Sequence, residues 1–193
     1  MFKIAIDLDN TILNTPATII NLHNKLSDNK LEYNDEMKLG WKFEPVIKTD
    51  DELAELFKLF DHTEFYKEAI TYENAIEVVN KLSMQNKVII ISKHMNSRKP
   101  LSIEWVSRTF PTVDIVFVDN FEDKGEILKG FDIIVDDRID ALESCKDIVP
   151  YRICYGDYYW NKDYKGLKLT NWLNLERIIN KIITINQKKY NKL

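Results

Sequence analysis

Five short runs of apolar and β-branched residues punctuate the chain, at Phe2–Ile6, Val88–Ile91, Ile115–Val118, Ile133–Val135 and Tyr151–Cys154. Their apolar positions are consecutive rather than alternating, which predicts strands buried on both faces, as in a parallel sheet. Four of them run into a polar or acidic residue: Asp7, Ser92, Asp119 and Asp136. Between the runs the apolar spacing becomes helical. Ala75, Val79 and Leu82 mark one helix. Ile103, Val106 and Phe110 mark another, with Pro100 placed to open it. Trp172, Leu175, Ile179 and Ile182 form a third stripe near the C-terminus. Strands alternating with helices predict a doubly wound α/β sheet.

One stretch, from about Asn14 to Ala69, carries helical signals and no core strand. Thr15-Pro16 is placed to cap and open a helix bearing Ile19, Leu22 and Leu26. Thr49-Asp50-Asp51-Glu52 fits a capping box ahead of Leu53, Leu56, Phe57 and Phe60. Residues 27–48 between them are largely polar, with Trp41 and Phe43 among them. The expectation is a core of residues 1–13 and 70–193 and a helical insertion, 14–69, directly after the first strand. No internal repeat or low-complexity segment is present, and Gln187–Lys192 reads as a solvated helix end.

A length of 193 residues suits one α/β domain with such an insertion. The formal net charge of −4 argues against a partner as acidic as a nucleic-acid polymer, although a local basic pocket could still take a single phosphate. Cys145 and Cys154 are too few for a disulfide framework and lack metal-finger spacing, so reduced thiols in or near the core are expected. The first ten residues read as a strand interrupted by Asp7, not as a signal peptide, and no apolar stretch is long enough to span a bilayer. A cytoplasmic location is the default expectation.

In an open α/β sheet, ligands gather at the carboxyl ends of the strands. The polar residues ending these strands therefore converge: Asp7 and Asp9 after the first, Ser92 at the second, Lys124 shortly after the third, Asp136 and Asp137 at the fourth. Several carboxylates brought together repel one another unless a cation neutralises them. Magnesium suits such a site, because it binds through one or two carboxylates, waters and a phosphate oxygen. A carboxylate beside that ion can attack phosphorus, a second can move protons, and a hydroxyl and an ammonium can hold the phosphoryl oxygens.

The ordered set Asp7-x-Asp9-x-Thr11, Ser92, Lys124 and Asp136-Asp137 resembles the four motifs of the haloacid dehalogenase (HAD) superfamily. The resemblance runs from Ile4 to about Ala141 and implies a Rossmannoid, doubly wound parallel sheet with a small cap after the first strand. It implies Asp7 as nucleophile, Asp9 as general acid and base, and Ser92 and Lys124 as phosphate ligands. Magnesium would be held by the Asp7 and Asp136 side chains and the Asp9 carbonyl, with Asp137 beside them. More narrowly, the size, the insertion, Phe65–Ile70 and Lys124–Leu128 resemble the 5'(3')-deoxyribonucleotidases, which implies a small phosphorylated metabolite, a nucleoside monophosphate, as substrate. Two departures stand out. Asn10 replaces a common Gly, and Asn tolerates unusual backbone angles. Ser92 replaces a common Thr and keeps the hydroxyl.

Other residues stay open at this level. Trp41, Phe43 and Phe65 could stack on a base or form the insertion's own small core. Thr11 fits ordering of the turn after Asp7. Lys93 and Arg98 could add positive potential or face solvent; His94 could touch phosphate or be structural; Asp140 could orient Asp136-Asp137 or lie exposed. His23 and His62 have no partner motif. A receiver domain also gathers acids at strand ends, but there the acid pair precedes the Lys. The remaining rivals are a phosphatase of sugar phosphates or other small phosphomonoesters, a turnover-deficient binding protein and a nucleic-acid end phosphatase.

Overall fold

The computed structural model describes residues 1–34, 37, 47, 49–93 and 97–190. All five expected strands form: β1 (Lys3–Ile6), β2 (Lys87–Lys93), β3 (Asp114–Val118), β4 (Ile133–Asp136) and β5 (Tyr151–Tyr155). A sixth, β6 (Leu167–Leu169), extends the edge beyond β5. Every pairing is parallel and the order is β3-β2-β1-β4-β5-β6. β6 escaped the sequence reading because three residues at a sheet edge are too few to display a period.

The consecutive apolar runs are explained by burial on both sides of this sheet. Ile4, Ile6, Ile90, Ile133 and Val135 face one apolar cluster, while Ala5, Ile89, Ile91 and Ile134 face another. The first cluster is covered by α1 (Thr15–Leu26), α3 (Ala75–Ser83) and α7 (Trp172–Tyr190), the second by α6 (Ile139–Ser144). All four residues of the expected α7 stripe are buried. Cys145 and Cys154 are both buried free thiols in the second cluster.

Two helical details differ from the sequence reading. Asn14, not Thr15, caps α1: its side chain accepts from the Ala17 amide, and Pro16 occupies the first turn. In α4 (Lys99–Thr109), Ile103 is half exposed, and the buried face is Ser102, Trp105 and Val106. Val106 and Phe110 are buried as expected, while Trp105, the largest side chain of the helix, takes an inward place and Ile103 turns outward.

After β1 the chain enters α1, then α2 (Asp50–Lys58) and a 3-10 turn at Leu59–Asp61, before returning to α3. The capping box expected at α2 is present, with Thr49 and Glu52 exchanging bonds. The two ends of the stretch between β1 and α3 are clasped: Leu13 bridges Thr71, the Asn14 amide donates to the Ile70 carbonyl (2.8 Å) and the Tyr72 amide to the Ile12 carbonyl (3.0 Å). Ile19, Leu22, Leu56 and Phe65 of this segment share one apolar cluster with the sheet, so they do not form a separate small core.

Candidate active site

The strand order reverses between β1 and β4, where a crevice opens at the carboxyl ends of the strands. Asp7 follows β1 directly, and its amide donates to the Val135 carbonyl of β4 at 2.8 Å. Asp136 ends β4, and the Arg138 amide fixes its Oδ1 at 2.9 Å. Asp137 comes next. These three buried carboxylates each present an oxygen within 4.8 Å of the others.

Lys124 joins them from across the sheet. It starts the short helix α5 (Lys124–Ile127), after a 3-10 turn at Phe121–Asp123. Although it follows Glu122 and Asp123, it is fully buried, and Nζ donates to Asp7 Oδ1 and to Asp136 Oδ2, each at 2.6 Å. Gly125 makes that depth accessible. A Cβ there would lie 2.3 Å from the Ser144 carbonyl oxygen, so only glycine lets α5 sit this close to the end of α6.

Three buried acids against one buried ammonium leave an excess of negative charge, and it shows in the carboxyls. Burial pushes the Asp7 carboxyl up to about 8; Lys124 opposes this, and Asp136 and Asp9 add to it. Burial, followed by Asp7 and Asp136, likewise lifts Asp137 well above the usual carboxylate range. Burial works against the Lys124 ammonium, yet Asp136 and Asp7 outweigh it and hold the group above an ordinary lysine. Oxygen donors this close, with charge left over, suit a hard divalent cation.

Asp9 also faces the crevice, and its Oδ1 accepts from the Thr15 hydroxyl at 3.1 Å and from Arg98 Nη2 at 3.4 Å. The turn that carries it needs Asn10 in the left-handed region (φ 59°), a conformation Asn adopts more readily than most residues. Tyr158 braces the turn by donating to the Asn10 carbonyl at 2.7 Å, and its own hydroxyl is bonded to that of Tyr72. Thr11 is fully buried away from the cavity. Its carbonyl accepts from Trp172 Nε1 at 3.2 Å, and its hydroxyl has no partner among the described residues.

A cavity of about 340 Å³ opens over these groups. Asp7, Asp9, Ser92 and Asp137 line its polar floor. Phe60, Phe121 and Trp160 supply apolar wall, and Lys93 and Arg138 bring positive charge. The volume fits a small metabolite.

Phe65 does not reach the cavity. It is fully buried, its ring stacked on Phe60 at 5.5 Å, so it offers no free face to a base; Phe60 stands in front of it instead. Trp41, Phe43 and His94 lie outside the described residues. Asp140 takes Arg138 in a two-pronged pair, with Arg138 lying over the Phe121 ring at 4.1 Å.

Several lining residues were not picked out from the sequence. Trp160 stacks on Tyr158 (4.5 Å, 8°), and its Nε1 donates to Asp137 Oδ2 at 2.8 Å. Asn161 secures the same stretch by donating to the Asp137 and Tyr155 carbonyls. Both fall in Asp157–Asn161, a polar and aromatic segment without period. The one signal available was its position, just past a strand end.

The family described as "5' nucleotidase, deoxy (Pyrimidine), cytosolic type C protein" matches residues 1–187. No curated protein sequence matches the chain. Among solved structures, it resembles a HAD-superfamily hydrolase of subfamily IA from Geobacter sulfurreducens at 12% identity, with 93% of this chain and 95% of that one covered and a TM-score of 0.59. The HAD-hydrolase YfnB from Bacillus subtilis, a magnesium-bound structure, aligns at 18% identity over 93% and 98% of the two chains, TM-score 0.55. A D,D-heptose 1,7-bisphosphate phosphatase from B. bronchiseptica, complexed with magnesium and phosphate, gives 10% identity over 94% and 99%, TM-score 0.51. At these identities the structures establish the HAD-like fold alone. Among the described residues no helix is long and apolar enough to cross a membrane. The match over nearly the whole chain places it in the deoxy-pyrimidine, cytosolic type C 5' nucleotidase family, and so among the phosphomonoester hydrolases, on a HAD-like fold.

Proposed function

We propose that this chain is a magnesium-dependent nucleotidase of the cytoplasm that removes phosphate from deoxynucleoside monophosphates, with Asp7 as the nucleophile. The observation that carries the reading is the floor of the cavity. There Asp7 stands within reach of Asp136 and Asp137 and is held by a buried lysine.

In the first displacement an Asp7 oxygen attacks phosphorus, the bond from phosphorus to the ester oxygen breaks, and Asp9 gives its proton to the departing alcohol. In the second, Asp9 takes a proton from water as the water oxygen attacks phosphorus. The bond to Asp7 then breaks, freeing phosphate and restoring the Asp7 carboxylate and the protonated Asp9. Ser92 and Lys124 steady the phosphoryl oxygens. Asp7, Asp136 and the Asp9 carbonyl, with Asp137 beside them, would hold magnesium. The bound ion supplies neutralising charge to the acids and to the phosphoryl group.

Residues 14–69 serve as the cap over the site in this reading, supported by the clasp at Leu13 and Thr71 and by Phe60, which faces the cavity. The cavity's size and its aromatic walls support a small substrate with a planar, apolar part.

The test is phosphate release, with magnesium and with EDTA, across deoxynucleoside monophosphates, sugar phosphates and p-nitrophenyl phosphate. Preference for the first, lost in EDTA, is expected; preference for sugar phosphates would discard the substrate assignment. Asp7→Asn should reduce turnover to background while the protein stays folded by circular dichroism, and turnover at the parent rate would refute Asp7 as nucleophile.

A further inference from the structure

Arg98 precedes α4 and is only 8% exposed. Its guanidinium lies against an aromatic wall, 4.6 Å from the ring centre of Phe60, 5.1 Å from Phe65 and 6.0 Å from Tyr66. Nη2 reaches Asp9 Oδ1 and the Tyr66 hydroxyl, each at 3.4 Å. Nε is buried with no hydrogen-bond partner among the described residues. The only carboxylate in an ion pair with this guanidinium, among the described residues, is Asp9.

Burying a cation is costly, and an apolar side chain would fill this place beside Phe60 and Phe65 without that cost. The charge makes sense as the counterpart of Asp9. Lys124 serves Asp7 and Asp136, on the far side of the floor, whereas Asp9 is served by Arg98. We infer that Arg98 is a positioning residue acting through Asp9: its guanidinium, pressed onto the Phe60–Phe65–Tyr66 wall, holds the Asp9 carboxylate in the orientation its proton transfers require.

Two donors far apart in sequence meet at one oxygen. Thr15, at the start of α1, and Arg98, ahead of α4, both donate to Asp9 Oδ1. The aromatic wall behind Arg98 comes from the last part of the insertion. An arginine suits this place and a lysine does not. A planar guanidinium can lie flat on the rings while it donates to its acceptors, and a compact ammonium has no flat face to stack. Arg98 does not line the cavity, so its effect should fall on the chemical step and leave substrate affinity alone.

The inference rests on the proposed function, and the experiment separates the two. Steady-state kinetics with a deoxynucleoside monophosphate and magnesium are measured for the parent, Arg98→Met, Arg98→Lys, Asp9→Asn and the Asp9→Asn/Arg98→Met double variant. Misplacing a catalytic group by about 1 Å costs about 100-fold. Arg98→Met is therefore expected to lower kcat by about 10- to 100-fold with KM within about threefold of the parent. On the Asp9→Asn background the same change should lower kcat by less than about twofold, because a residue that acts only through Asp9 has nothing left to position.

An active parent with kcat unchanged in Arg98→Met overturns the inference and leaves the nucleotidase reading intact. So does a full, additive loss on the Asp9→Asn background, which would mark Arg98 as merely structural. Should Arg98→Met not fold, Arg98→Lys decides: kcat reduced at unchanged KM supports the inference, and kcat equal to the parent's overturns it. A parent that releases no phosphate from any phosphomonoester overturns both readings together.

Discussion

Replacing Lys124 by Met tests the charge balance of the floor directly. The side chains are similar in length and both unbranched, so the packing against α6 changes little, but the ammonium 2.6 Å from both Asp7 and Asp136 is gone. Removing one partner of a buried ion pair costs about 3–5 kcal/mol, because the remaining charge is left uncompensated. For a chain of this length each kcal/mol lowers Tm by about 2–4 °C, so a fall of at least about 6 °C is expected in EDTA at pH 8.

The loss should shrink toward pH 5. There the Asp7 carboxyl, already lifted to about 8 with the lysine present, holds its proton and no longer needs a counter-charge. Magnesium should recover part of the loss at pH 8 by supplying the missing positive charge. The assay is thermal melting followed by circular dichroism, for parent and variant, at the two pH values, with EDTA or magnesium. A variant melting within about 2 °C of the parent at pH 8 in EDTA would refute the claim that this ammonium holds the acids together, since even the low end of the cost predicts more.

Two further outcomes follow from the same geometry. Asp7 binds its proton up to about pH 8 in the folded, metal-free chain but only to about pH 4 when unfolded. The native state thus holds the extra proton across that window, and stability must fall as pH rises through it. Metal-free protein is expected to melt several degrees lower at pH 8 than at pH 6, and magnesium to raise Tm more at pH 8; equal Tm values in EDTA would contradict the lifted carboxyl. Gly125→Ala places a methyl 2.3 Å from the Ser144 carbonyl oxygen, so α5 must retreat. A loss of about 1–3 kcal/mol in urea unfolding is expected, with kcat reduced because Lys124 moves too, and unchanged stability would refute the close packing.

What the sequence disclosed and what it hid divide along a physical line. Strands buried on two faces advertise themselves, since every position in Ile133–Val135 or Val88–Ile91 must be apolar, and the residues that end them share a sheet edge by topology. Asp7, Asp136 and Asp137 were legible for that reason, and so was the capping box of Thr49 and Glu52. Burial of a charged side chain leaves no such trace. Lys124 was expected at the site from its place after β3, but it stands in a run of charged residues, and the Gly125–Ser144 contact shows why it is sunk. Arg98 is the same case: its burial depends on Phe60, Phe65 and Tyr66, more than thirty positions earlier, arriving on one side while Asp9 arrives on the other. Trp160 and Asn161 act through single directed bonds to Asp137, and a bond of that kind has no period to read. The floor of the site is thus written in local pattern and topology. The residues that orient it are written in long-range contacts, and there a sequence reading of residue types offers Arg98 and solvent equal claim. The three-dimensional arrangement breaks that tie, because a guanidinium with aromatic rings on one side and Asp9 on the other cannot be a solvated surface charge.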